Sequence, residues 1–191
     1  MTRSAHTILI ALVLAALASC GERPTADIHA PGAKTRKGVV EVEPIDNSRV
    51  VAGQTIYVPA YSSVYTADQA HRFDLAVMLS IRNTDPHQPI ILTAARYYDQ
   101  DGQPVRNYLE KPLRIQPMAA IEFFVAEGDT RGGISASFLV EWVAEQTVTA
   151  PVIESVMIGT ASTQGISFTC PGRVLSDRAR SQPGGASPSG S

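Results

Sequence analysis

Cysteine is nearly absent: Cys20 and Cys170 are the two in 191 residues. The chain therefore has no disulfide framework and no CxxC pair for zinc or redox chemistry. HExxH is missing as well. Charge of one sign is lacking, since 16 Lys+Arg against 18 Asp+Glu leave a formal −2. That balance supplies no basic field for a nucleic-acid partner. No apolar run reaches the ~17–25 residues that a spanning helix needs. No stretch of ten or more residues carries a helical stripe free of proline or a β-branched run. With 14 Gly, 13 Pro and 44% hydrophobic residues, the composition is that of an ordinary globular chain. Collagenous, coiled-coil and wholly disordered polymers are excluded.

The first twenty residues carry the sharpest positive signal. Arg3 is the fixed charge ahead of Ile8 to Ala18, an unbroken apolar run of 11 residues. That length fits the core of a signal peptide and not a membrane span. Leu17-Ala18-Ser19-Cys20 then resembles the lipobox of bacterial lipoproteins. Small side chains at Ala18 and Ser19 admit the backbone to a peptidase cleft. Cleavage between Ser19 and Cys20 frees an N-terminal Cys20 whose sulfur and amine can both be acylated. Several acyl chains on one residue meet the two-signal requirement for stable membrane attachment. Gly21 replaces the Asp that retains Gram-negative lipoproteins in the inner membrane, so in such a host the expected location is the outer membrane, facing the periplasm.

Residues 1–19 are thus expected to be a leader and 20–38 a tether, broken by Pro24, Pro31 and Gly32. Residues 176–191, ending Gln-Pro-Gly-Gly-Ala-Ser-Pro-Ser-Gly-Ser, have little apolar surface to offset the entropy of ordering and read as a disordered tail. Residues 39–175 remain for one domain, and its dominant signal is period-two alternation. Phe73, Leu75, Val77, Leu79 and Ile81 share one face, as do Ala136, Phe138, Val140, Trp142 and Ala144. Ile121, Phe123 and Val125 form a third row, and Ile166, Phe168 and Cys170 a fourth. Val39–Val42, Thr55–Val58, Ile90–Tyr98 and Val152–Ile158 bring the total to about eight strands. Pro, Gly, Asn and Asp punctuate them. The expected fold is all-β, an antiparallel sandwich of immunoglobulin-like architecture.

Several segments of this core are familiar as a group: Val58-Pro59-Ala60-Tyr61-Ser62-Ser63-Val64-Tyr65, Leu79-Ser80-Ile81-Arg82-Asn83-Thr84-Asp85 and Arg96-Tyr97-Tyr98-Asp99-Gln100-Asp101-Gly102. Val156-Met157-Ile158-Gly159-Thr160 and Gln164-Gly165-Ile166-Ser167-Phe168 complete the set. Together they resemble the bacterial domain of unknown function 3124 between about Val40 and Val174. The resemblance implies an exported or lipid-anchored envelope protein without assigned activity, and it carries over no catalytic residue.

Chemistry-bearing residues are sparse. Gly133-Ile134-Ser135-Ala136-Ser137 and Gly165-Ile166-Ser167-Phe168-Thr169 both lack the last glycine of a nucleophile elbow and sit in strand-like alternation. His29, His71 and His87 define no triad with any particular serine, so no catalytic residue is expected. Cys170 shares strand parity with Ile166 and Phe168, as a buried, inert thiol would. Asp99, Asp101 and Gly102, with Asp129 from a later loop, come nearest to a calcium pattern. A hairpin turn explains the first three, and the remaining EF-type ligands are missing. No metal or other cofactor is expected.

Glu154 interrupts the row Val152, Val156, Ile158. Two readings stand: an inward carboxylate paired with Arg82 or Arg96, or an inward charge guarding an edge strand. Tyr61, Tyr65 and Tyr98 beside Arg96 suit contact with an envelope protein or a glycan, because the ring supplies area and the hydroxyl a hydrogen bond. The expectation is a noncatalytic binding module held to the membrane at Cys20, without nucleic acid as a partner. The alternatives are a small envelope enzyme or ligand carrier with a pocket of Tyr, Arg and acid, and a calcium-dependent module.

Overall fold

A computed structural model describes residues 36–160 and 165–178. Leader, Cys20 and most of the expected tether and tail lie outside these residues. Alternation becomes strand wherever it was read. The strands are β1 (Val39–Glu41), β2 (Ala52–Ala60), β3 (Ser63–Tyr65), β4 (Arg72–Asp74), β5 (Ala76–Arg82), β6 (Ile90–Tyr98) and β7 (Pro104–Asn107). After them come β8 (Leu113–Ile115), β9 (Ala120–Val125), β10 (Ala136–Ala144), β11 (Val152–Gly159), β12 (Ile166–Pro171) and β13 (Arg173–Asp177). Two 3-10 turns, Asn47–Arg49 and Thr130–Gly132, are the helical elements of the described residues. No helix among those residues is long and apolar enough to cross a membrane.

Two antiparallel sheets result. A seven-stranded sheet has the order β1-β8-β6-β10-β2-β13, with β7 also paired to β6. A four-stranded sheet has the order β12-β11-β5-β9, and β3-β4 forms a small hairpin. Ile56, Val58, Tyr97, Phe138, Val140 and Trp142 of the large sheet share one core with Leu79, Ile81, Ile121, Phe123 and Met157 of the small one. Each such burial contributes about 1.5–3 kcal/mol. This is the two-layer antiparallel sandwich that the alternation implies.

The row Phe73 to Ile81 is inward as read, but it is two strands, since the Leu75 N–H donates to the Ser62 carbonyl between β4 and β5. On β11 the expected face is reversed. Ile153, Ser155 and Met157 are buried, while Val152 and Ile158 are about half exposed. The inward row is disguised by its own polar and small members. Ser155 is buried because its hydroxyl donates to the Pro59 carbonyl of the other sheet at 2.5 Å. Gly159 is required because a Cβ there would overlap the Phe73 ring.

Both ends of the domain run past the expected limits. Arg36 bridges to Val39, and its guanidinium grips both Glu122 carboxylate oxygens at 3.1 Å and the Ala120 carbonyl. Ser176 and Asp177 belong to β13, opposite Thr55 and Gln54. With the Tyr108 hydroxyl bonded to the Phe124 carbonyl, Arg36 also covers part of the open edge of β9.

One polar knot ties the loops at an end of the sandwich. The Asn83 amide donates to the carbonyls of Gln88, Ile115 and Gln116 at 2.9–3.2 Å, and its oxygen accepts from the Asp85 N–H. Asp85 in turn accepts from the N–H groups of His87, Gln88 and Thr149, each at 2.8 Å. Those three donors, Thr149 first, hold its carboxyl below the usual 3.8. Depression means that the ionised carboxylate stabilises the fold above the unfolded-state pKa and that the gain is lost as pH falls through the folded one.

Urea denaturation should show Asn83→Ala destabilised by about 1–3 kcal/mol, the cost of stranding buried carbonyls. In Asp85→Asn the deficit against the parent should be largest at neutral pH and shrink below about pH 4.

Candidate functional site

Arg96 and Tyr98 leave β6 on the solvent side of the large sheet, because the β6 residues between them and beyond (Tyr97, Ala95) belong to the core. Register places a continuous row across five strands: Asn107, Arg96, Leu139, Tyr57 and Arg173 are successive cross-strand neighbours. Tyr98, Ser137 and Pro59 form the next row, and Ala94, Glu141 and Thr55 the one on the other side. Arg96 Nη1 lies 2.7 Å from Glu141 Oε1, and that bond is the main reason the guanidinium pKa is raised. Both side chains remain about two-fifths exposed, so the pair adds at most about 1 kcal/mol to stability. Its effect is to hold Arg96 upright beside Tyr98 and Leu139. Tyr57 is itself 38% exposed, a large aromatic face left to water on a rigid strand.

The other expected binding residues are not gathered here. Glu154 lies on the outer face of the small sheet, between Ser80 and Pro171, so a pocket shared with Arg96 is not formed. Nor is it an edge residue, since β11 runs between β12 and β5. Tyr61 is half-buried, its ring 6.0 Å from that of Phe168, a packing role. Tyr65 is exposed at the end of β3, opposite Arg72.

The carboxylates of Asp99 and Asp129 are committed to structure. Asp99 Oδ1 accepts the N–H groups of Asp101 and Gln103 at 2.9 and 2.7 Å, and Gly102 closes the turn at φ +77°. This loop does meet the Asp129 loop, through the Gln100 N–H to the Gly132 carbonyl at 3.1 Å. Asp129, however, is clasped by Arg131 Nε and Nη2 at 2.8 and 2.6 Å, which is the chief cause of its lowered pKa. No group of three His, Cys, Asp or Glu that could hold a metal occurs among the described residues.

Cys170 is half-buried, not buried, because β12 is an edge strand; burial still pushes its thiol pKa up. Among the described residues no serine or threonine hydroxyl is bonded to an imidazole ring; His71 Nδ1 pairs with Asp68 at 2.7 Å instead.

The family model "Protein of unknown function (DUF3124)" matches residues 53–175. The chain belongs to this family. A solved structure titled "Crystal Structure of Thermotoga maritima 1070" is similar at 15% identity, covering 63% of this chain and 92% of that one, with a TM-score of 0.36. Nothing among curated proteins matches.

Within the DUF3124 region, the Leu79–Asp85 segment carries Asn83 and Asp85 of the loop-tying knot, and Arg96–Gly102 spans the exposed Arg96–Tyr98 row and its turn. The first serves the fold. The second presents a surface that the fold does not consume. Tyr57, Leu139, Glu141 and Arg173 complete that surface. Leu139, Glu141 and Arg173 could not be found from sequence, because cross-strand register, not sequence spacing, makes them neighbours of Arg96.

Arg96→Ala and Tyr57→Ala should each change the unfolding free energy by less than about 1 kcal/mol. Phe138→Ala, from the inward face of the neighbouring strand, should cost about 3–5 kcal/mol in the same urea titration.

Proposed function

We propose that this DUF3124 protein is a lipid-anchored component of the bacterial cell envelope, and that its sandwich is a noncatalytic binding module. The observation that carries the anchor is the order of parts at the N-terminus: charge, 11 apolar residues, then Leu17-Ala18-Ser19-Cys20. With Gly21 after the cysteine, the outer membrane facing the periplasm is the proposed location in a Gram-negative host. The sixteen steps from Cys20 to Arg36 reach at most about 55 Å when fully extended. An anchored sandwich would thus search a thin layer beside the membrane, where tethering raises its effective concentration.

The binding surface in this reading is the Arg96–Leu139–Tyr57–Arg173 row. Arginine and tyrosine are the side chains that concentrate binding energy at protein and glycan contacts, and here they stand on paired strands with little entropy left to lose. The proposed partner is an envelope protein or a glycan.

One preparation tests both halves. Cells expressing the parent chain should incorporate an alkyne fatty acid into it, and Cys20→Ser should lose the label and leave the membrane fraction. A photocrosslinking residue at Leu139 should give adducts in that envelope, while one at Ser167, on the small sheet, should give none. Label retained by Cys20→Ser overturns the anchor. Equal adducts from both positions overturn the choice of face.

A further inference from the structure

At one end of the large sheet the outer face sinks into a cleft of about 380 Å³, within the range of small-ligand sites. Two arginines share one carboxylate there. Arg49 Nη2 lies 2.8 Å from Glu145 Oε1, and Arg114 Nη2 lies 3.5 Å from Glu145 Oε2. Glu145 is largely covered, at 18% side-chain exposure, whereas Arg49 and Arg114 keep 67% and 30%. The open side of the trio is therefore guanidinium, with one positive charge in excess. Two further acids stand close by: Asp46 caps the turn bearing Arg49, its Oδ1 accepting the Ser48 N–H, and the Asp85 carboxylate is taken by the N–H groups of His87, Gln88 and Thr149.

Each arm is held by an element of the fold. Arg114 stands on β8 opposite Ile91 of β6, whose side chain is buried at the site. The Val51 N–H donates to the Ala144 carbonyl at 2.8 Å, fixing the Arg49 turn against the end of β10. Gln88 is placed by the knot described above, its N–H on Asp85 and its carbonyl on Asn83. Gln88 and Gln146 line the cleft, and neither side-chain amide has a hydrogen-bond partner among the described residues.

Paired guanidinium groups recognise planar or tetrahedral oxyanions through parallel N–H···O bonds, and neutral amides beside them suit hydroxyl groups. We infer that the Arg49–Arg114 cleft binds a small hydroxylated anion, a sugar-like molecule bearing one carboxylate or phosphate group. The charged group would seat on the two guanidinium groups, with the hydroxyls on Gln88 and Gln146. This site is separate from the Arg96–Tyr57 row, so the failure of either leaves the other standing.

Isothermal titration of the full chain with D-glucuronate, inorganic phosphate and uncharged D-glucose tests the inference. At least one anion should bind saturably with a Kd below about 1 mM, and glucose should not. Arg49→Ala, on an exposed side chain, should weaken that binding by about fivefold or more, and Arg49→Ala/Arg114→Ala by about tenfold or more, with each variant's thermal transition remaining cooperative. Phosphate binding without glucuronate binding assigns the site to phosphate-bearing ligands. Absence of saturable binding by both anions, or affinity unchanged in Arg49→Ala, or glucose binding as tightly as the anions, overturns it.

Discussion

The inward faces of the two sheets hold each other out of water. Phe138, Val140 and Trp142 of the large sheet lie in one buried cluster with Leu79, Ile81 and Met157 of the small one, and Tyr108, from the loop after β7, adds its ring beside Phe138. A side-chain period of two means that committing these rows inward commits their neighbours outward. Arg96, Leu139 and Tyr57 face outward for that reason, Tyr57 exposed and the other two half-buried, being the alternate residues of strands whose other face is in the core. The proposed binding surface is thus a by-product of the core's geometry, carried on strands whose other face is fixed in the core.

Polar groups then decide the details that apolar burial leaves open. The Asn83–Asp85 knot gathers carbonyls and N–H groups from loops that would otherwise end unpaired at the sandwich's rim. The Ser155 hydroxyl bridges the sheets in the middle of β11. Arg36 and Tyr108 cover carbonyls of β9 that would invite a further strand. These contacts set where strands stop, and the knot places Gln88 in the cleft that Arg49 and Arg114 also line.

Much of this was legible in the sequence where alternation ran for five residues or more. The inward rows of β5, β9 and β10 were read with the correct face, and the Asp99–Gly102 turn was read as a turn. The three-residue strands β3 and β8 were missed because so short a run holds no countable period, and β4 was merged with β5 into one row. The face of β11 was misread because its buried row contains Ser155 and Gly159, while the outward row holds Val152, Val156 and Ile158. For the site, Arg96 and Tyr98 stood out through adjacency. Leu139, Glu141 and Arg173 did not, since they lie on β10 and β13 and meet Arg96 or its row only across the sheet. Glu154, grouped with Arg96 by chemistry, proves to be on the opposite outer face.

Native-state hydrogen exchange across β5 and β10 tests the mutual dependence of the sheets most directly. If each sheet survives only while the other covers it, the slowest amides of both strands should exchange with one common opening free energy, equal to that of global unfolding. A small sheet whose slowest amides open several kcal/mol more easily than those of β10 would contradict the account, because it would come away while the large sheet stood.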